Sequence, residues 1–146
     1  MTYLSPAKIN LFLHINSKRD DGYHNLQTIF QLLDFYDEIN FSVREDGEIN
    51  RTLGNEDIPL ANDLMIKSAK KLQKLSGVNL GVDIRIIKKI PSGGGLGGGS
   101  SNAATTLMAL NQLWGLELTK QQLIVIGKGI GADVPVFIEG QSSWAE

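Results

Sequence analysis

The stretch IPSGGGLGGGSS at residues 90–101 is the part of the sequence whose composition most strongly indicates a ligand-binding or catalytic site. Between Gly93 and Gly99 only Leu96 is not glycine, so the backbone N–H groups there lack the shielding of side chains. An alternating strand pattern leads into this stretch, and Ser101 or Asn102 can cap a helix that follows it. Because a helix N-terminus gathers unpaired N–H groups and positive partial charge, we predict a phosphate-binding segment, here called the glycine loop (residues 91–99).

Two known phosphate-binding patterns can be tested against the glycine loop. The Walker pattern requires Lys and then Ser or Thr after its last glycine, whereas Ser100 and Ser101 follow here. The dinucleotide fingerprint is formally present at Gly93, Gly95 and Gly98. That match is nearly automatic in so glycine-rich a run, and the elements before it are not a βαβ series. A nicotinamide-dependent oxidoreductase therefore stays open as an alternative.

Other polar residues could act together with this loop. Alternation in KINLFLHI places Lys8 and Asn10 on one strand face, although a solvated strand end accounts for Lys8 more readily. Asp133 precedes Val-Pro, where an ordinary helix N-cap is the simpler interpretation. Tyr23 and His24 follow the DDGYH turn and could stack on and hydrogen-bond to a pyrimidine, or form an exposed turn tip.

The elements that must position these residues follow from the hydrophobic spacing. Alternation predicts strands at 8–15, about 27–33, 39–43 and 80–90. A helical period begins at Leu64, with Asn62 or Asp63 as its N-cap and Gly77 at its end. Further helices are expected after the glycine loop and from Thr119, which forms a capping box with Gln122. Strands first and helices later predict an α+β fold.

Composition limits the possible partners of this 146-residue chain. It carries 14 basic and 16 acidic residues with no basic block, which argues against nucleic acid as a main partner. The sequence contains no run of about 18 apolar residues, so it predicts no membrane-spanning helix. The absence of cysteine excludes disulfides and thiolate metal sites. A single cytoplasmic domain is the expectation.

Four motifs together resemble the GHMP kinase superfamily: PAKINLFLHI, DGYHNLQTIF, IPSGGGLGGGSSNAAT and GADVPVF. Their order and separations are most similar to the kinases of a cytidine-diphosphate-linked methylerythritol. The resemblance implies Mg²⁺-dependent transfer of the ATP γ-phosphoryl group to the 2-hydroxyl of that small molecule, in the non-mevalonate route to isoprenoid precursors. It also implies a ribosomal protein S5 domain 2-like fold with a left-handed βαβ unit. A non-catalytic module of that fold is a second alternative.

The resemblance assigns roles to residues of this chain. Lys8 is implied to be the catalytic lysine, and Asp133 to accept the proton of the attacking hydroxyl, so the two must lie within salt-bridge reach. Asn10, Tyr23 and His24 match the substrate side. The implied nucleotide-binding residues are Asn62 or Asp63 and Lys88 at the adenine, with Pro91, Ser92, Gly93, Gly94, Gly95, Leu96, Gly97, Gly98, Gly99, Ser100 and Ser101 around the phosphates.

Chains of the superfamily are considerably longer than this one and carry a second α/β domain. By resemblance, residues 1–146 form the N-terminal, ATP-binding domain, and the C-terminal domain is expected to be absent from this chain. We therefore expect these residues alone to be a weak kinase, because one wall of the substrate cleft is missing.

Overall fold

The computed structural model describes residues 1–18, 24–91 and 95–144, with side chains for residues 1–10, 30–91 and 95–141. Nine elements follow one another in this part of the chain. The strands are β1 (Thr2–Lys18), β2 (His24–Arg44), β3 (Ile49–Leu53) and β4 (Gly81–Ile87). The helices are a 3₁₀ turn (Leu60–Asn62), α1 (Leu64–Ser76), α2 (Gly98–Leu113), α3 (Lys120–Lys128) and α4 (Val134–Trp144).

The four strands form one sheet in the order β1, β2, β4, β3. β1 pairs with β2 and β2 with β4 in antiparallel fashion, whereas β3 and β4 run parallel. Since parallel neighbours need a crossover, the chain passes through α1 between them, and β3, α1 and β4 form a βαβ unit. The α+β class predicted from the sequence is confirmed.

The helices cover one face of the sheet and enclose the core with it. Alternate residues of β2 and β4 point inward, as a strand period of two requires: Ile39, Phe41, Val82, Ile84 and Ile86. The helices contribute Ala69 and Leu72 from α1 and Leu107 and Leu110 from α2 to the same cluster. This packing fixes α2, and therefore the glycine loop before it, against the sheet.

The helix-boundary signals of α1 and α3 are confirmed. The Asp63 carboxylate accepts a hydrogen bond from the Met65 N–H at 2.9 Å and so caps α1, while Gly77 ends that helix at a φ of 72°. Thr119 and Gln122 form the expected reciprocal capping box at the start of α3.

Several predicted boundaries are wrong. The strand predicted at 8–15 extends over all of β1, and the segments 27–33 and 39–43 are one strand, β2, because its pairing with β1 runs through both. α2 begins at Gly98 and its N-cap is Gly97, so neither Ser101 nor Asn102 caps it. The sequence patterns also missed β3, a short half-polar segment, and α4. Of the turn predicted at 20–24, residues 20–23 lie outside the described ranges, and His24 is the first residue of β2.

Candidate active site

A cavity of about 370 Å³ opens at the N-terminus of α2. The predicted nucleotide-binding residues on its wall are Asn62, Asp63, Lys88, Pro91, Gly95, Leu96, Gly97, Gly98, Gly99 and Ser100. The wall also includes residues that the sequence patterns did not assign to a binding site: Asn55, Ile58, Leu64, Met65 and Asn102. Polar backbone and amide groups therefore meet an apolar patch in a single concave site, as a nucleotide requires.

Gly97 is where the glycine loop meets β1. Its φ of 71° lies in the left-handed region, and a Cβ placed on it would lie 2.8 Å from Phe137 Cζ and 3.1 Å from Lys8 Cε. The Lys8 N–H donates to the Leu96 carbonyl at 2.9 Å, so the loop is tied to the strand at the same point. Glycine is needed here for both conformation and space.

Lys8 and Asp133 form an ion pair beside this point. The Lys8 Nζ lies 3.8 Å from Asp133 Oδ2, which confirms the expected nearness of the two residues. Four consecutive residues of β1, from Ser5 to Lys8, are buried, and Lys8 itself is 2% exposed, so burial does not alternate along this part of the strand. The interpretation of Lys8 as a solvated strand end is therefore wrong.

The Lys8 ammonium has further partners on the strand side. It donates to Asn10 Oδ1 at 3.2 Å and lies 5.4 Å from the centre of the Phe30 ring. These contacts hold the ammonium between β1 and β2. The ammonium faces the Asp133 carboxylate, whose side chain is 46% exposed. A buried cation thus faces an accessible carboxylate beside the glycine loop.

The paired serines have different environments. Ser101 is fully buried, and its hydroxyl lies 2.8 Å from the Ser5 hydroxyl. Of the two serines, Ser100 lies on the cavity wall and Ser101 does not.

Lys88 also lies on the cavity wall, where a buried carboxylate holds it. Its Nζ donates to Asp37 Oδ2 at 2.6 Å and to Asn102 Oδ1 at 3.2 Å. The sequence patterns did not single out Asp37. The sequence signal that could have identified it is its position as an acidic residue in the run DFYDEI, which lies inside the continuous strand β2.

Asn62 and Asp63, the predicted alternatives at the adenine, both line the cavity but differ in burial. Asp63 is 2% exposed, and its carboxylate accepts from Arg51 Nη1 at 2.9 Å as well as from the backbone N–H at the start of α1. Asn62 is exposed. Next to Asn55 in the chain, the Gly54 N–H donates to the Glu56 carboxylate at 2.8 Å, which lowers the pKa of that carboxyl.

Some predicted site residues cannot be placed. Ser92, Gly93, Gly94 and Tyr23 lie outside the described residues, and His24 is described only by its backbone at the start of β2. In the described ranges, no group of three or more His, Asp or Glu side chains could hold a metal ion. None of the helices in those ranges is long and apolar enough to cross a membrane.

Comparison with known proteins identifies the family. The N-terminal domain of GHMP kinases matches residues 63–141, more than half of the chain. The chain belongs to the GHMP kinase family. The match runs from the cap of α1 through the glycine loop to α4, and so covers most of the cavity wall and Asp133.

Individual relatives of this GHMP kinase domain are similar over its whole length. A 4-diphosphocytidyl-2-C-methyl-D-erythritol kinase of Ruthia magnifica subsp. Calyptogena magnifica is 63% identical over 99% of the chain and 51% of that relative. One of Pseudomonas fluorescens (strain Pf0-1) is 53% identical over 100% of the chain and 52% of the relative. The chain therefore spans about half the length of the curated relatives it matches.

Solved structures agree with this assignment. A crystal structure of 4-(cytidine 5'-diphospho)-2C-methyl-D-erythritol kinase superposes with a TM-score of 0.76 at 36% identity, over 96% of this chain and 49% of that one. The Methanococcus jannaschii mevalonate kinase shares the fold, with a TM-score of 0.66 at 20% identity over 89% of this chain and 45% of its own.

The nicotinamide-dependent alternative is not favoured. A dinucleotide-binding unit needs a parallel strand after the helix that follows the glycine loop. In the described residues α2 leads instead to α3 and α4. Membership of a kinase family also disfavours the non-catalytic module, whose case rested on the fold alone.

Proposed function

We propose that this chain forms the ATP-binding half of a kinase that phosphorylates the 2-hydroxyl of 4-(cytidine 5'-diphospho)-2-C-methyl-D-erythritol in the cytoplasm. The observation that carries the proposal is the Lys8–Asp133 ion pair beside the glycine loop, 125 positions apart in sequence and 3.8 Å apart in space. The names of the most similar relatives supply the substrate class. Because the chain matches about half of each relative, the acceptor site is proposed to involve the other half as well.

Membership of a kinase family implies ATP as the phosphoryl donor. The phosphates are proposed to lie on the N–H groups of the glycine loop and the N-terminus of α2, where the helix dipole favours negative charge. Lys88 adds a cation on the same wall. The apolar part of the cavity, at Ile58, Leu64 and Met65, suits the adenine ring.

Mg²⁺ fits this site as a companion of the nucleotide. The cavity wall offers isolated oxygen ligands, such as the Ser100 hydroxyl, which agrees with the preference of Mg²⁺ for substrate phosphates plus one or two protein oxygens. When bound, the ion neutralises charge on the phosphates.

The ion pair can perform the remaining chemistry. Phosphoryl transfer depends mainly on positioning and on electrostatic stabilisation of a loose transition state. Asp133 is proposed to orient the acceptor hydroxyl and to take its proton late in the reaction. Lys8 is proposed to stabilise negative charge on the transferring group, because its buried ammonium interacts in a site where water screens it little.

The acceptor is proposed to bind on the β1 and β2 side of the ion pair. Asn10, which shares a hydrogen bond with the Lys8 ammonium, faces this side. Tyr23 lies between the two strands in the sequence and His24 begins β2, and both are proposed to contact the cytosine. Stacking and edge hydrogen bonds are the interactions that a pyrimidine offers to these side chains.

A chimera tests the proposed reaction. Residues 1–146 replace the matching half of the Ruthia magnifica relative, and the product is mixed with Mg-ATP and the cytidyl-methylerythritol substrate. We expect stoichiometric ADP and phosphorylated substrate, and no ADP above background when the substrate is replaced by CDP. A folded chimera that makes no ADP, while the intact relative does, contradicts the proposal. Saturable NAD binding without ATP binding supports the oxidoreductase, and RNA retention at moderate salt supports the non-catalytic module.

Single substitutions of Asn62 and Asp63 distinguish a residue that contacts the nucleotide from one that caps α1. Asp63→Ala removes both the cap of α1 and the partner of Arg51, so we expect a loss of about 3 kcal/mol in the free energy of unfolding. Asn62 is exposed on the cavity wall, so Asn62→Ala should change stability by about 0.5 kcal/mol or less. We expect Asn62→Ala to raise the Kd of ATP roughly fivefold, the effect of one lost hydrogen bond.

Urea unfolding and calorimetric titration of the 146-residue chain measure both quantities. Unchanged ATP affinity in Asn62→Ala would show that Asn62 makes no contact with the nucleotide. A fully stable Asp63→Ala chain would contradict the structural role of Asp63.

A further inference from the structure

A buried carboxylate that the proposed reaction does not use lies beside the glycine loop. Asp37 belongs to β2 and is 0% exposed. Its Oδ1 accepts from the N–H groups of Lys89 at 2.6 Å and Ile90 at 2.8 Å, immediately before the loop. Its Oδ2 accepts from the Asn102 side chain at 3.1 Å, at the start of the second turn of α2, which follows the loop. A single carboxylate therefore holds both ends of the glycine loop.

The same carboxylate fixes a cation on the cavity wall. Oδ2 also accepts from Lys88 Nζ at 2.6 Å, and that Nζ donates to Asn102 Oδ1 at 3.2 Å. A Cβ placed on Gly98 would lie 3.1 Å from the same Nζ, so the ammonium sits against the first residue of α2. Lys88, Gly98 and Asn102 all line the cavity.

Packing of β2 does not by itself require a charge at this position. Removing a carboxylate from water is costly, and an apolar side chain of similar volume often fills such a site with equal or greater stability. At Asp37 the cost is offset by an ammonium, an amide and two backbone N–H groups. These donors come from the two ends of the loop and from Lys88, which are the parts that must be fixed for a phosphate to bind.

We propose that Asp37 is a positioning residue for the nucleotide phosphates. It acts without touching the nucleotide, by holding the two ends of the glycine loop and the Lys88 ammonium in the geometry that receives the triphosphate. The proposal rests on the proposed function, since the phosphate ligand is ATP.

Asp37→Asn in the 146-residue chain is the direct test. The amide has nearly the same shape and keeps one oxygen for the backbone N–H groups, but its NH₂ group opposes the donors of Lys88 and Asn102. We expect the Kd of ATP to rise about tenfold or more, and that of adenosine to change less than about twofold, because adenosine lacks phosphates. Ligand-observed NMR measures both constants.

Asp83→Asn is the matched control. Asp83 lies on β4 and also accepts side-chain hydrogen bonds, from Arg44 and Asn50, but it is not part of the cavity wall. The control should leave both constants unchanged. ATP affinity that is unchanged or tighter in Asp37→Asn overturns the proposal, and so does an equal loss for ATP and adenosine, which indicates a purely structural role. Failure of the proposed function is seen separately, as a wild-type chain that binds no ATP.

A second variant keeps the proposal testable if Asp37→Asn does not fold. Asn102→Ala removes the hydrogen bond that joins Asp37 to α2, together with the bonds of Asn102 to Lys88 and Ser5, and leaves Asp37 its ammonium and backbone partners. We expect the Kd of ATP to rise about threefold or more, with that of adenosine unchanged. An unchanged Kd of ATP in a folded Asn102→Ala chain overturns the proposal.

Discussion

Asp133→Asn in the chimera is expected to lower kcat by about 100-fold or more, while the Kd of ATP changes by less than about twofold. The amide keeps the shape of the side chain but cannot take the proton of the acceptor hydroxyl. It also loses the charge that faces the Lys8 ammonium at 3.8 Å. ATP binding should persist, because the loop amides and Lys88 on the cavity wall hold the nucleotide. Steady-state kinetics and calorimetric titration provide the two values.

The interpretation of Asp133 as a simple N-cap predicts a different result. Asp133 directly precedes α4, and Asn caps a helix about as well as Asp, so a capping role would make this substitution nearly silent. Asp46→Asn is a suitable control, since Asp46 also pairs with one cation, Arg44, but lies away from the cavity. An Asp133→Asn chimera with the turnover of the Asp46→Asn chimera would remove Asp133 from the mechanism.

Gly97→Val is expected to abolish measurable ATP binding, with a rise in Kd of roughly 100-fold or more. A β-branched residue resists the φ of 71°, and its Cβ would lie 2.8 Å from Phe137 Cζ and 3.1 Å from Lys8 Cε. To relieve these contacts the loop must leave its place against β1. The amides that are proposed to bind the phosphates then move with it.

Gly115→Val separates this effect from backbone strain. Gly115 has a φ of 66°, close to that of Gly97, but a Cβ there meets no atom within 4 Å. Both variants should lose stability in thermal unfolding, by about 1–3 kcal/mol from strain alone. Only Gly97→Val should lose ATP binding. The steric account of Gly97 fails if a folded Gly97→Val chain binds ATP as tightly as the Gly115→Val chain does.

Local patterns in the sequence determined those features that depend on a few neighbouring residues. The cap at Asp63, the left-handed Gly77 and the Thr119 capping box are settled within one helical turn, so they could be predicted. The glycine loop was recognisable for the same reason, because its composition alone leaves the backbone accessible. The pairing of Lys8 with Asp133 came from resemblance, since no local signal links residues so far apart.

Only the tertiary structure decided which polar residues face the cavity and which are buried beneath it. Lys8 ends a run of four consecutive buried residues of β1, and the strand period of two gives no warning of such a run. Ser100 and Ser101 are adjacent and chemically identical, yet α2 directs one to the cavity and packs the other against Ser5. The bonds of Asp37 reach residues more than 50 positions away, to both ends of the glycine loop. Such contacts depend on how β2, β4 and α2 pack together, and that packing is set by the whole core rather than by any short segment of sequence.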